Sequence, residues 1–208
     1  MTFKYLTVLS LGLLLLTSCG QEKKEEVKPE PKETKAGIVD EFADIKILQY
    51  EIPGWENLSL EKQKLVYYMT QAGLSGRDMM WAQNYRHNLT IRKALENVYT
   101  TYTGDKNTED WKNFETFVKR IWFSNGIHHH YSTVKMTPDF SAEYLNQLLA
   151  DTNTTLEGEA FEVLFNDKDT KKVNLSKDAD IVLESAINFY GPDVTTADVE
   201  QFYGSKTV

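Results

Sequence analysis

One segment limits the fold more than any other. Between Thr108 and Trp122, the residues Trp111, Phe114, Phe117, Val118, Ile121 and Trp122 recur at intervals of three and four, with charged and polar residues between them. That spacing stacks side chains on one face of an α-helix, whereas a strand would send alternate residues to opposite sides. Thr108 stands directly before the run, where its hydroxyl can cap the first turn. An apolar face of this width has to be covered by neighbouring elements. The aromatic stripe is therefore read as core rather than as a shelf for a ligand, and the chain as one that packs helices.

The neighbouring segments agree. Ser59 is placed to cap a helix with Glu61 in its first turn, Leu65, Met69 and Ala72 on one face and Gly76 as its stop. Asn88 is placed to cap a second helix, whose buried face is Ile91, Ala94 or Leu95, Val98 and Tyr99, and the turn Thr103-Gly104-Asp105-Lys106-Asn107 follows it. Ser141 caps another, carried by Tyr144, Leu145, Leu148 and Leu149. Further helical pieces are expected from Leu156 to Phe165, Ala179 to Tyr190 and Thr196 to Tyr203. A single strand is expected where Ile45, Ile47, Tyr50 and Ile52 alternate with Lys46, Gln49 and Glu51, ended by Pro53-Gly54. The expected fold class is mainly α with minor β.

The first 37 residues read differently. Lys4 is the only charge ahead of an apolar stretch from Leu6 to Leu16, which is too short to span a bilayer and suits the core of a signal peptide. Leu16-Thr17-Ser18-Cys19 follows and resembles the bacterial lipobox, in which cleavage leaves the cysteine first and its thiol carries the lipid. Cys19 is the only cysteine, so no internal disulfide is available and lipidation is its expected role. Gln21 to Lys35 has mixed charge, two prolines and one apolar residue, Val27, and is expected to be a disordered tether. The expected organisation is thus residues 1–18 as leader, 19–37 as tether and 38–208 as folded body, held to a bacterial membrane outside the cytoplasm. About 170 residues are enough for one core. A net charge of −8 leaves no basic footprint for nucleic acid.

Candidate chemistry centres on Ser124-Asn125-Gly126-Ile127-His128-His129-His130-Tyr131. Adjacent histidines point apart, and only His128 and His130 could converge on a metal from an extended stretch. The run is read as a loop lining a cleft, with a plain surface loop and a zinc site as alternatives. His87 has no motif around it, and Glu157 and Glu159 are read as a solvated face. No His-Glu-x-x-His, Cys-x-x-Cys or Gly-x-Ser-x-Gly is present.

The stretch from Phe42 to Tyr203 resembles the N-terminal part of the bacterial dipeptidyl peptidase III family, zinc enzymes that release dipeptides from peptide N-termini. The likeness rests on Leu60-Glu61-Lys62-Gln63-Lys64-Leu65-Val66-Tyr67-Tyr68, Gly76-Arg77-Asp78, Ile91-Arg92, Gly104-Asp105-Lys106-Asn107 and, most specifically, Trp122-Phe123-Ser124-Asn125-Gly126-Ile127-His128-His129-His130-Tyr131 running to Pro138. Asn188-Phe189-Tyr190, Val194-Thr195 and Phe202-Tyr203 continue it. The resemblance implies two lobes around a peptide cleft, this region belonging to the lobe that contains a small β-barrel. It also implies that Asn125, Gly126, His128, His129, His130 and Tyr131 meet an oligopeptide substrate, Tyr131 against a side chain.

The family's His-Glu-x-x-x-His zinc motif is absent from these residues: His87 precedes Asn88, and His128 to His130 run into Tyr131. No catalytic residue and no metal ligand is therefore expected here, and zinc is expected only in a full-length member. Val208 falls well short of the family's usual length, so the expectation is an N-terminal portion that is inactive alone and exposes apolar surface meant for the rest. The rival expectation is an autonomous surface lipoprotein that binds a peptide or partner without catalysis.

Overall fold

In a computed structural model of the chain, residues 36–166, 171–187 and 189–206 are described. The expected leader, the lipidation site Cys19, most of the tether, and Asn188 lie outside them. The body opens with a hairpin, β1 (Ala36–Phe42) and β2 (Ile45–Tyr50), paired antiparallel with Phe42 opposite Ile45 and an irregularity between Ile38 and Asp40. Ala43 takes a positive φ of 50° in the tight turn. The sequence pattern shows β2 alone, because the charged Asp40 and Glu41 break the apolar alternation of β1; the expected single strand is corrected to a two-stranded hairpin. Asp40 and Asp44 then anchor it on a later helix, through Lys119 Nζ at 3.1 Å and Arg120 Nη2 at 3.3 Å.

Helices follow: α1 (Leu60–Ser75), α2 (Arg77–Asn84), α3 (Asn88–Thr101), α4 (Glu109–Ser124), α5 (Ala142–Asp151), α6 (Glu159–Phe165) and α7 (Thr196–Gly204). The molecule is a mainly helical domain with one small antiparallel hairpin. Three of the expected caps form as read. Ser59 accepts from Lys62 N, Thr108 Oγ1 from Trp111 N at 3.2 Å, and Ser141 Oγ from Tyr144 N at 3.1 Å. Each satisfies one of the donors that a helix start leaves unpaired.

α3 is the hub, touching α2, α4, α5 and α6. Its buried Ile91, Ala94, Leu95 and Val98 meet Trp111, Phe114, Phe117, Val118 and Ile121 of α4 in one apolar core. Leu145, Leu148 and Leu149 of α5 and Val163 and Leu164 of α6 close it. The aromatic stripe of α4 is core, as its spacing requires, and Trp122 packs half-buried at the margin. Rings continue the packing: Phe140 sits 5.7 Å edge-on to both Phe114 and Phe117, and Trp111 stacks on Tyr102 at 4.7 Å.

Several expectations need correction. Gly76 ends α1, yet α2 begins at the next residue and buries Trp81 completely. Leu65 and Met69 share a face of α1, but no residue of that helix is buried. His87, not Asn88, occupies the cap position of α3. The piece expected from Leu156 starts at Glu159. The described residues between 179 and 190 form no helix: turns run through 181–184. The reason is Asp180, whose Oδ1 accepts from Val182 N and Leu183 N at 3.0 Å each and from Thr196 Oγ1 at 2.7 Å. It closes a turn on itself and ties that turn to the start of α7, and the bonds from Leu183 and Thr196 draw its carboxyl down to about 2. α7 follows with a capping box between Thr195 and Asp198. Among the described residues no helix is long and apolar enough to cross a membrane.

Candidate functional site

α4 delivers the histidine loop. Asn125, in the left-handed conformation (φ 52°, ψ 43°), caps its C-terminus, and Gly126 N–H reaches back to Ile121 O at 3.1 Å, closing a Schellman-type end. Two side chains from distant sequence then hold the loop. Asn84 Nδ2 donates to Asn125 O at 3.1 Å, and the buried Asn88 Oδ1 accepts from Ile127 N at 3.1 Å. Gly126 has a φ of 149° and lies so close to the Asn88 amide that a Cβ there would meet Nδ2 at 2.2 Å. Asn88 thus fastens the loop instead of capping its own helix.

The loop folds back as a short tongue. Met136 N donates to Ile127 O and His129 N to Val134 O, both at 2.8 Å. Ile127 and His128 point inward and are almost wholly buried, the His128 ring standing edge-on to Tyr85 at 5.6 Å. His129 Nδ1 accepts from Tyr131 N and Ser132 N, 3.1 Å each, so in the neutral ring the proton sits on Nε2. Its ring stacks on His130 at 4.4 Å, and His130 in turn packs against Phe123 at 4.7 Å and Tyr131 at 4.6 Å. Burial, and then the neighbouring His129, hold His130 below the usual imidazole range, with Asp44 working the other way. Tyr131 is 85% exposed.

The six residues singled out from sequence therefore divide. Gly126 and His128 are buried and Asn125 is a cap: they position the tongue. His129 and His130, both half-buried, and the exposed Tyr131 form a small aromatic step continued by Phe123. The stacked rings of His129 and His130 do not converge on a point, and among the described residues no group of three His, Cys, Asp or Glu side chains could hold a metal ion. The described residues do not fit zinc.

Sequence reading misses a second constellation. His87 and Glu159, each set aside from its local context, meet in space: His87 Nε2 is 3.2 Å from Glu159 Oε2. Arg86 joins them, donating from Nε to His87 Nε2 at 3.1 Å and pairing through Nη2 with Glu159. The Arg86 hydrogen bond holds the Glu159 carboxyl below its usual range. No local signal could have joined them, because the α2–α3 connection and the start of α6 are brought together only by packing on α3. Two of the three, Arg86 and Glu159, line a cavity of about 540 Å³ together with Tyr85, Glu184, Ile187 and Tyr190. Tyr85 therefore touches both, lining the cavity and meeting the His128 ring. Burial, and then Glu159, push its phenol up.

No protein-family model matches the chain, and no curated protein matches it.

Proposed function

We propose that this chain is the N-terminal portion of a zinc-dependent dipeptidyl peptidase, lining one side of an oligopeptide cleft and held through lipid on Cys19 to a bacterial membrane outside the cytoplasm. Its place in this reading is to bind and position. The His129–Tyr131 step offers aromatic faces to a peptide, while zinc and the water it activates belong to a further body. Dipeptide release by this chain alone is not expected, since no histidine here is followed by the glutamate that family chemistry requires.

The observation that carries the reading is α1. Leu65, Val66, Tyr67, Tyr68 and Met69 are consecutive and all exposed, by 44–66%. At roughly 100° per residue, five successive positions go right round a helix. A helix that is apolar on every side belongs inside protein. Here it is exposed at every position but the half-buried Gln63, and the same stretch carries part of the resemblance to the peptidase family. Enclosing α1 therefore calls for more protein than this body contains. An autonomous binding module has no use for such a helix in water, and isolated helices of this length are marginal there.

Amide hydrogen exchange on the purified chain tests the point. The α1 amides are expected to exchange at least ~100-fold faster than those of α3 and α4, whose bonds open only with the core. Protection of α1 equal to that of α3 in a monomer would mean that this chain covers the helix itself, and would favour the autonomous module.

A further inference from the structure

We infer that the cavity between Arg86 and Tyr190 is a binding site for an organic cation: an ammonium group carried on an apolar body. This inference does not rest on the peptidase reading. The cavity's size, about 540 Å³, suits a small molecule or a single side chain.

Its outer wall is irregular in secondary structure and yet closely tied. Ala186 N donates to Lys171 O at 3.0 Å, Ile187 N to Lys172 O at 3.3 Å, and Asn174 N to Ser185 Oγ at 2.9 Å. The Asp180 turn fixes the same segment from its other end. The wall is thus built, and the groups it presents are held in place.

Charge selects the ligand. Three formal charges line the cavity: Arg86, Glu159 and Glu184. Arg86 and Glu159 are spent on one another. Glu184 is different. Its Oε1 accepts from Asp180 N at 2.9 Å and its Oε2 from Asn174 Nδ2 at 3.3 Å, both neutral donors. Among the described residues no cation pairs with it. A carboxylate has about four acceptor sites, so two remain for a ligand's N–H groups. Beside it Val182, Leu183, Ile187 and the ring of Tyr190 supply an apolar surface, and an aromatic face itself attracts a cation. An anion would have to displace Glu159 from Arg86 and would lie beside Glu184 as a like charge.

Isothermal titration calorimetry on the full chain in detergent, with phenethylammonium chloride as probe, tests this. Saturable binding is expected, about ten-fold tighter than for 2-phenylethanol, the neutral counterpart, as a hydrogen-bonded charge requires. Glu184→Gln, which removes the charge and keeps one acceptor oxygen for the shorter bond from Asp180 N, is expected to weaken the ammonium about ten-fold and leave the alcohol unchanged. Tyr190→Ala, at a position outside the wall's hydrogen bonds, is expected to weaken both probes a few-fold. Absence of saturable binding would overturn the inference, as would equal affinity for the alcohol or unaltered ammonium binding in both variants. Tighter binding of phenylacetate than of the ammonium would also overturn it, by making the cavity an anion site on Arg86.

Discussion

Phe114→Ala is expected to lower the stability of the domain by about 3–5 kcal/mol, the range found when a large aromatic is deleted from a closed core. Phe114 has no exposed surface. It lies 5.2 Å from the Trp111 ring and 5.7 Å from that of Phe140, which continues the cluster to Phe117 and Phe165. The neighbours come from α4 and from the segment before α5, so a collapse that refilled the space would have to move both. In a domain whose whole stability is about 5–15 kcal/mol, the loss is a large part of the total. Denaturant titration of the two proteins measures it. Met80→Ala on α2, where the side chain is 55% exposed, serves as the contrast and is expected to change stability by no more than about 0.5 kcal/mol. Equal effects at the two positions would mean that the α4 face is not the core.

The second large effect is expected at the base of the histidine tongue. Gly126→Ala places a Cβ 2.2 Å from Asn88 Nδ2 and 2.8 Å from its Cγ, at a φ of 149° that side chains rarely adopt. Asn88 is 1% exposed and cannot swing into solvent. Either the backbone shifts or the bond from Ile127 N to Asn88 Oδ1 breaks, leaving buried polar groups unpaired. Backbone strain and lost pairing together are expected to cost about 2–4 kcal/mol. Removing the amide as well separates the causes. The double variant Gly126→Ala with Asn88→Ala is expected to lose less than the sum of the two single changes by about 1 kcal/mol or more, because both act on one contact. Strict additivity would show that the glycine is needed for its own backbone conformation and that Asn88 does not hold the tongue.

These two sites also show what the sequence makes legible. α4 and α5 are readable because everything that builds them is local: Thr108 and Ser141 cap them, and their apolar residues recur at three and four. α7, with Thr195 and Asp198 in a capping box, is readable for the same reason. α2 is not, since it offers one fully buried residue, Trp81, directly after a glycine that ends another helix. The segment 179–190 has enough apolar residues to suggest a helix, but Asp180 takes the amides of Val182 and Leu183 and turns the chain. α1 misleads in the opposite sense: its periodic Leu65, Met69 and Ala72 suggest one buried face, whereas every face carries apolar residues and none is covered. At the tongue, the sequence marks Asn125 to Tyr131 as unusual but cannot show that Gly126 and His128 turn inward while Tyr131 turns out. That division is set by Asn84 and Asn88. The union of Arg86, His87 and Glu159 is tertiary altogether.

In the proposed function, this body is one part of a peptidase whose metal chemistry lies in another part. Reading the source DNA through the codon for Val208 and beyond tests it most directly. The expected result is an unbroken frame that runs on into a His-Glu-x-x-x-His segment, with the added protein supplying apolar surface to enclose α1. A stop codon immediately after Val208 would contradict it, and the chain would then stand as a lipid-tethered binding module without catalytic chemistry.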